Sequence, residues 1–377
     1  MKKAIIVIPT YNERGNIKQL IDSIITTTAT IPNWEIGILV VDSSSPDGTL
    51  IEVKELQKKY TNVHVIETKK EGLGKAYISG FTYAIEHLNP YVLFEMDADL
   101  SHNPKYLPSF LQKIEKGADF VIGSRYIKGG SIPSNWGFHR KLFSICANLF
   151  VRLGFMRLST SDWTGGFRAI KVWVVKSALT HVSSYSGYVF QVALLDFATN
   201  KKATIAEVPI QFIDRTAGES KINSIQYIIQ TFLYVLTHSS FIKFVITGFI
   251  GFGIDFSFAY FFISFFHIVK TTANMLSAEI AIISNFFINN FWSFRHKKID
   301  GGVFGYIKKF VLFNVVSSGS IAIQGGGLAL LLYFFVDKLI SLGFISIPSW
   351  IIYKILIIAC VVIPYSYILY NKVIWKK

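Results

Sequence analysis

YVLFEMDADLSH, residues 91–102, runs from an apolar stretch (Tyr91, Val92, Leu93, Phe94) into two carboxylates, Asp97 and Asp99, one residue apart. An unbroken apolar stretch that stops at polar residues is the pattern of a strand buried on both faces. At the end of such a strand, residues two apart point the same way, so both carboxylates can converge on one ion. Small hard cations such as Mg²⁺ and Mn²⁺ take oxygen ligands of this kind, shared with a substrate's phosphates. A departing diphosphate needs its charge neutralised as the bond to it breaks, and a bridging metal does that. An isolated D-x-D is also explained by a solvated strand end, or by a helix cap from Asp99 or Ser101 ahead of Pro104. The surrounding chain decides between these.

Outward from this stretch, apolar runs alternate with helical stretches, and each run ends in polar residues. Runs at 5–8, 36–41, 63–66, 91–96 and 120–122 predict strands; 16–27, 50–60, 75–87 and 106–116 predict helices. Such alternation predicts an α/β domain with a mostly parallel sheet covered on both faces, which binds ligands at its C-terminal strand ends. The polar clusters fall there: Pro9 to Glu13, Asp42 to Thr49, Asp97 to Ser101, and Gly123 to Tyr126. A dinucleotide fingerprint is excluded at Gly72-Leu73-Gly74, because Tyr77 stands where the third glycine is needed and the turn follows the third strand. That turn reads instead as a helix start close to a ligand.

The 377 residues suggest two domains, and a hydrophobic share of 51% is too high for two ordinary soluble ones. The excess lies beyond about residue 240. A formal charge of +14 points to an anionic partner, a membrane surface or phosphates. Nucleic acid is set aside for want of an aromatic-and-basic binding signature. Cys146 and Cys360 lie far apart without metal-ligand spacing and read as apolar fillers in a reducing compartment. The first apolar run stops at Pro9, too early for a signal peptide.

Together the strand-end motifs resemble the glycosyltransferase family 2 catalytic domain (GT-A, Rossmann-like), and within it the dolichol-phosphate and polyprenol-phosphate mannose synthases. The residues that carry this are IPTYNE (8–13), VDSSSPDGT (41–49), GLGKAY (72–77), MDADLSH (96–102), GSRYIKGG (123–130), DWTGGFRA (162–169), GYVFQ (187–191) and VPIQFIDRTAGESK (208–221). The resemblance implies that Pro9, Tyr11, Glu13 and Asp42 line a nucleoside pocket, with Asp97, Ala98 and Asp99 completing the donor site. It implies that Asp97 and Asp99, with Ser101 nearby, hold Mg²⁺ or Mn²⁺ on the sugar diphosphate. Arg125, Arg140, Ser144, Arg215 and Lys221 would gather the phosphate of a lipid acceptor, for which the guanidinium fork is suited. Asp97, Asp99, Arg125, Arg140 and Arg215 are the expected catalytic set. Arg168 and Lys128 read as surface ion pairs, His102 as a packed or capping residue, and Asp47 with Gly48 equally well as a simple Pro-Asp-Gly turn.

Family members acting on hydroxyl acceptors carry a carboxylate base after the GY motif, whereas Gly187-Tyr188-Val189-Phe190-Gln191 offers none. A phosphate monoester is already an anionic nucleophile and requires no base. The resemblance therefore implies a single inverting displacement: mannose from GDP-mannose to a polyprenyl (dolichyl) phosphate, giving a β-linked product. UDP-glucose with undecaprenyl phosphate is the second enzymatic reading. A lipid-phosphosugar flippase or scaffold with a vestigial catalytic half is the reading from another class. Two departures stand out, Ser43 where the family has a second Asp and Ala193 where it often has Glu.

Residues 224–240 place apolar side chains at helical spacing (Ile225, Ile228, Ile229, Phe232, Leu233, Leu236) and predict an interfacial amphipathic helix. Stretches of about 20 apolar residues, enough to cross a bilayer, follow near 241–265, 273–294, 310–335 and 347–370. Asp255, Glu279, Asn285, Asn289 and Asn290 lie inside them and read chiefly as helix-packing groups. Arg295, Lys297, Lys298, Lys308 and Lys309 between the second and third spans, and Lys372, Lys376 and Lys377 at the end, outweigh Lys270 and Lys338 opposite. The positive-inside rule then predicts a multi-pass cell-membrane protein with the catalytic domain and both termini cytoplasmic. FVITGFIGFGIDF (244–256) and NFFINNFWSFR (285–295) resemble GtrA-like membrane domains. The expected organisation is a catalytic domain over 1–223, a juxtamembrane helix over 224–240 and a four-helix transmembrane domain over 241–377.

Overall fold

A computed structural model describes residues 1–214, 224–297, 299–342 and 345–376. The chain divides into two compact units, Met1–Val235 and Leu236–Lys377.

In the first unit the elements run β1 (Lys2–Thr10), α1 (Asn16–Thr28), β2 (Trp34–Asp42), α2 (Thr49–Lys59), β3 (Val63–Glu67), α3 (Leu73–Tyr83), β4 (Val92–Glu95), α4 (Leu107–Glu115) and β5 (Phe120–Ser124). Then come α5 (Phe138–Gly154), β6 (Arg168–Lys171), α6 (Val172–Val182), α7 (Val189–Asn200), β7 (Ile205–Pro209) and α8 (Ser224–His238). The strands form one seven-stranded sheet in the order β3-β2-β1-β4-β6-β5-β7. All neighbours are parallel except β6, which runs antiparallel to both β4 and β5. Ile5 to Ile8 and Ile38 to Val41 are fully buried, as strands covered on both faces must be. In α1 the apolar stripe Ile17, Leu20, Ile21, Ile24 packs into the core, and α4 repeats the pattern with Leu107, Phe110, Leu111 and Ile114. Helix α3 lies so close to the sheet that a Cβ on Gly80 would stand 2.5 Å from Val7 Cγ1. Only glycine permits that approach.

The antiparallel β6 has a direct consequence for the site. Its first residue, Arg168, lies at the C-terminal edge of β4 and β5, paired in register with Glu95 and Ile122. The turn before it, DWTGGF, is thereby delivered to the same edge as the carboxylates.

Two helices leave apolar faces uncovered. On α5, Phe138, Phe143, Leu142, Ile145, Leu149 and Leu153 are exposed; on α8, Ile228, Ile229, Phe232 and Leu233 are. Phe150 of α5 stacks on Phe232 of α8 at 5.2 Å, joining the two into one surface. The other side of α8 is docked on the catalytic unit through Tyr227, Tyr234 and Val235. Tyr227 meets Tyr188 edge-on, and Tyr234 donates from its hydroxyl to Asp196 Oδ2 at 3.0 Å.

In the second unit, α9 (Ser240–Ser264) is capped by Ser239, whose hydroxyl accepts from Ile242 N. It is followed by α10 (Lys270–Ile288), α11 (Gly302–Phe334), a short hairpin of β8 (Leu339–Leu342) and β9 (Ile345–Pro348), then α12 (Ser349–Ile357) and α13 (Ile363–Leu369). Among the described residues, three helical stretches are long and apolar enough to cross a membrane: Ser240–Ser264, Gly302–Phe334 and Ser349–Ile374. Helix α10, in the place of the expected second span, is more polar and is not one of them. The polar groups pack between helices. Ser277 donates to Asp255 Oδ1 at 2.5 Å, and Asn290 bonds Trp375 Nε1 and Tyr306. Gly251 lies directly against Asn285, where a larger residue would collide. Glu279 alone of this set is exposed. Both cysteines are free and exposed.

Burial pushes the Asp196 carboxyl from 3.8 up to about 6, against the pull of Tyr234, Arg157 and Asn200. Raised above its unfolded value, it contributes stability that is full below about pH 4 and lost as the pH rises through 6. Asp196→Asn, which still accepts from Tyr234 once Asn200 turns its amide, should therefore stabilise the detergent-purified protein at pH 7.5 by up to about 3 kcal/mol and give no gain near pH 4. Melting curves across that range check it.

Candidate functional site

Three neighbouring strand ends carry non-glycine residues in the left-handed region: Asn12 after β1, Ser44 after β2 and Leu100 after β4, with φ of 57°, 54° and 66°. Left-handed backbone is costly for a bulky residue such as Leu and concentrates at functional turns. Here it folds the loop after β4 back so that Ser101 N donates to Asp99 Oδ1 at 3.1 Å.

Asp97 and Asp99 are partly exposed, while Ala98 between them is buried. Asp97 is held from several sides. Its backbone N–H donates to His102 Nδ1 at 3.0 Å, which leaves the proton of the neutral ring on Nε2, 3.8 Å from Asp97 Oδ2. Tyr77 OH stands 3.5 Å from Asp97 Oδ1, and burial, then the charges of Asp97 and Glu95, keep that phenol protonated well above its usual range. His102 is buried and stacked on Phe167 at 5.1 Å, so it packs and orients, as its sequence position suggested. The hydroxyl of Ser101 is buried with no hydrogen-bond partner among the described residues. Two carboxylates and an unused hydroxyl make an all-oxygen donor set of the kind hard divalent cations take. No group of three or more His, Cys, Asp or Glu able to hold a metal occurs among the described residues, so further ligands would come from substrate phosphates.

On the nucleoside side, Asp42 is fully buried. Its Oδ2 accepts from Thr10 at 2.9 Å and from the Ser45 hydroxyl at 2.6 Å, and its Oδ1 accepts from Ser45 N at 2.9 Å. As placed, it shapes the loop after β2. Asp47 does turn chemistry, accepting from Thr49 N and Oγ1 at the start of α2 and from Arg14 N. Glu13 accepts from Asn16, and Lys70 lies over the Tyr11 ring at 3.6 Å. Pro9, the next-to-last residue of β1, is half-buried beside them. The Gly72–Gly74 turn departs from expectation. A Cβ on Gly72 would stand 2.5 Å from Ser186 O, and Gly74 N donates to that same oxygen at 2.7 Å. These glycines admit the chain at 185–187.

Among the expected acceptor residues, Arg125 forms a fork with Asp162, from Nε to Oδ2 and from Nη2 to Oδ1, both at 2.8 Å. Burial would raise Asp162, yet the Arg125 charge and the bonds from Arg125 and Gly165 hold it below the usual carboxylate range. Arg140 is half exposed, 3.4 Å from Asp214 and 3.9 Å above the Trp136 ring. Ser144 shares a 2.6 Å hydrogen bond with Tyr126. Arg215 and Lys221 lie outside the described residues. Lys128 is exposed. Arg168 is no surface pair: it is fully buried, with Nε 3.7 Å from the equally buried Glu95.

Phe212, a residue the sequence reading passed over, joins the two halves. Its ring lies 5.8 Å from His102, 5.7 Å from the Arg125 guanidinium and 6.0 Å from Trp136, on which Arg140 rests. Phe212 thus lies between His102, which accepts from Asp97 N, and the Arg125 guanidinium, with Arg140 one ring further out on Trp136.

Removing Arg125 would strand the buried Asp162 charge, so Arg125→Ala should cost about 3–5 kcal/mol of stability. Arg140→Ala, at the surface, should cost under about 1 kcal/mol. Unfolding of the two purified variants side by side checks the difference.

Residues 5–176 match the model of glycosyl transferase family 2, and residues 243–375 match that of the GtrA/DPMS transmembrane domain. The chain is 33% identical over 315 residues to the dolichol-phosphate mannosyltransferase of Pyrococcus furiosus, covering 82% of this chain and 85% of that one. It is 37% identical over 224 residues to the polyprenol monophosphomannose synthase of Mycolicibacterium smegmatis (59% and 82% covered). It is 38% identical over 222 residues to the undecaprenyl-phosphate mannosyltransferase of Micrococcus luteus (59% and 88% covered). The chain belongs to glycosyl transferase family 2: it is a glycosyltransferase, and its GtrA/DPMS domain makes it a membrane protein.

Proposed function

We propose that the protein transfers mannose from GDP-mannose to a polyprenyl (dolichyl) phosphate, with inversion, at the cytoplasmic face of the membrane. The observation that carries this reading is Phe212, whose ring lies against His102, the partner of Asp97 N, and against the Arg125 guanidinium, so that the carboxylate loop and a basic residue meet at one side chain. The three relatives, all of them named for mannose transfer to or synthesis on a lipid phosphate carrier, support the sugar and the acceptor class.

In this reading Pro9, Tyr11, Glu13 and the loop shaped by Asp42 receive the nucleoside. Asp97 and Asp99, with Ser101, would hold Mg²⁺ or Mn²⁺, which supplies charge neutralisation to the leaving diphosphate. Arg140, Ser144, Arg215, Lys221 and the outer edge of Arg125 hold the acceptor phosphate. One of its oxygens attacks the anomeric carbon as the bond to the nucleoside diphosphate breaks on the opposite side. The acceptor is an anion already, which fits a GYVFQ segment without a carboxylate; the next one, Asp196, is buried and engaged by Tyr234.

The apolar faces of α5 and α8 support delivery of the acceptor from a membrane surface, since Arg140 and Ser144 are carried on α5 itself. We place the catalytic domain at 1–223, the juxtamembrane helix at 224–240 and the membrane domain at 241–377. Lys297 bonds Asn371, and Lys309 donates to Val373 O, gathering the basic loop and the C-terminal segment together. This supports one cytoplasmic side for both.

A panel of labelled nucleotide sugars, assayed with Mn²⁺ and polyprenyl phosphate, tests the reading. GDP-mannose should label the lipid strongly and UDP-glucose should not, and Asp99→Ala should lower transfer by at least about 10³-fold. Undiminished turnover in that variant would remove the metal assignment.

A further inference from the structure

We infer that Arg168, paired with Glu95, is a positioning residue that sets the geometry of the metal and nucleotide site from beneath; the inference rests on the metal reading proposed above. Glu95 and Arg168 face one another across antiparallel β4 and β6, both with no exposed surface. Cross-strand partners in register share a face of the sheet. Their contact is not a well-made salt bridge. Arg168 Nε stands 3.7 Å from Glu95 Oε2, and neither Glu95 oxygen nor that Nε has a hydrogen-bond partner among the described residues. The fork of Arg125 on Asp162 shows what a fully bonded pair looks like in the same unit. A buried pair of this looser kind is a poor source of stability, since an apolar pair of similar volume does as well or better.

What the pair does have is reach. The remaining donors of the guanidinium go to two carbonyls, Nη1 to Gln191 O at 2.7 Å and Nη2 to Trp163 O at 3.0 Å. One side chain therefore holds the end of β4, the DWTGGF turn and the first turn of α7. These three segments close around Asp97. Glu95 precedes it by two residues. Gly166 lies against it, where a Cβ would be 3.5 Å from Asp97 Oδ2, 3.4 Å from His102 Cε1 and 2.8 Å from Gln191 Nε2. The guanidinium also places a positive charge beside Glu95, two residues before Asp97 in the chain. Lysine could keep the charge, but it lacks the planar fork that spans two carbonyls and a carboxylate.

Two variants test this in the full-length, detergent-purified protein. Arg168→Lys retains the charge and loses the span. The double variant Glu95→Met with Arg168→Met removes both charges without stranding either, so it remains readable if the first variant fails to fold. The measurement is Mn²⁺ binding, followed by the loss of the free-ion electron paramagnetic resonance signal, with and without GDP, beside a melting curve. We expect variants that melt within a few degrees of the wild type and bind Mn²⁺ with GDP at least tenfold more weakly. Folded variants that bind within twofold of the wild type would overturn the inference and leave the proposed function standing. A wild-type protein that binds neither Mn²⁺ nor GDP would overturn both.

Discussion

The antiparallel insertion of β6 between β4 and β5 is the constraint on which the site depends. In a wholly parallel sheet the start of this strand would lie at the far edge from the carboxylates. Reversed, it brings Arg168 opposite Glu95 and the turn holding Asp162 beside Arg125. Arg168 and Asp162, both buried at this edge, then each have an opposite charge within reach, which a low-dielectric interior favours. Burial still shows through: Glu95 is pushed up to about 7 despite Arg168, and Asp97 adds to that shift.

The same edge separates two kinds of arginine. Arg168 is a structural cation buried inside the fold, and Arg125 is bonded to Asp162 along its inner edge, whereas Arg140 is half exposed on a helix with an uncovered apolar face. An anionic lipid head approaching from a membrane would therefore meet Arg140 and Ser144 before the buried pairs. Phe212 lies between Trp136, on which Arg140 rests, and His102 beside Asp97. A rigid aromatic suits this place, because it spaces charged groups without adding a charge of its own.

Much of this was legible in the chain. Strands β1 to β5 and helices α1 to α4 follow from apolar periodicity, because each buries a continuous run or a regular stripe. The polar clusters at their ends locate the site by the same logic. Strand β6 was not legible: it has four residues, begins and ends with a basic side chain, and pairs only with strands distant in sequence. Helix α7 is buried nearly all round and so has no stripe to read, while α5 exposes the residues that a stripe would assign to a core. Gly72 and Gly74 looked like a ligand turn because close approach needs glycine whatever does the approaching. The neighbouring backbone at 185–187, invisible in the local pattern, approaches both.

By itself, then, the sequence determined the α/β class, the membrane-bound half and the placement of Asp97 and Asp99 at a strand end, since these rest on periodicity and on spacing along one segment. The tertiary structure decided which charges are spent within the fold and which face outward. It turned Arg168 from an apparent surface residue into a buried one, gave Arg125 to Asp162, and brought Phe212 between His102 and Trp136. Those outcomes depend on pairing between residues tens of positions apart and on the burial that pairing creates, and neither is encoded in any local pattern.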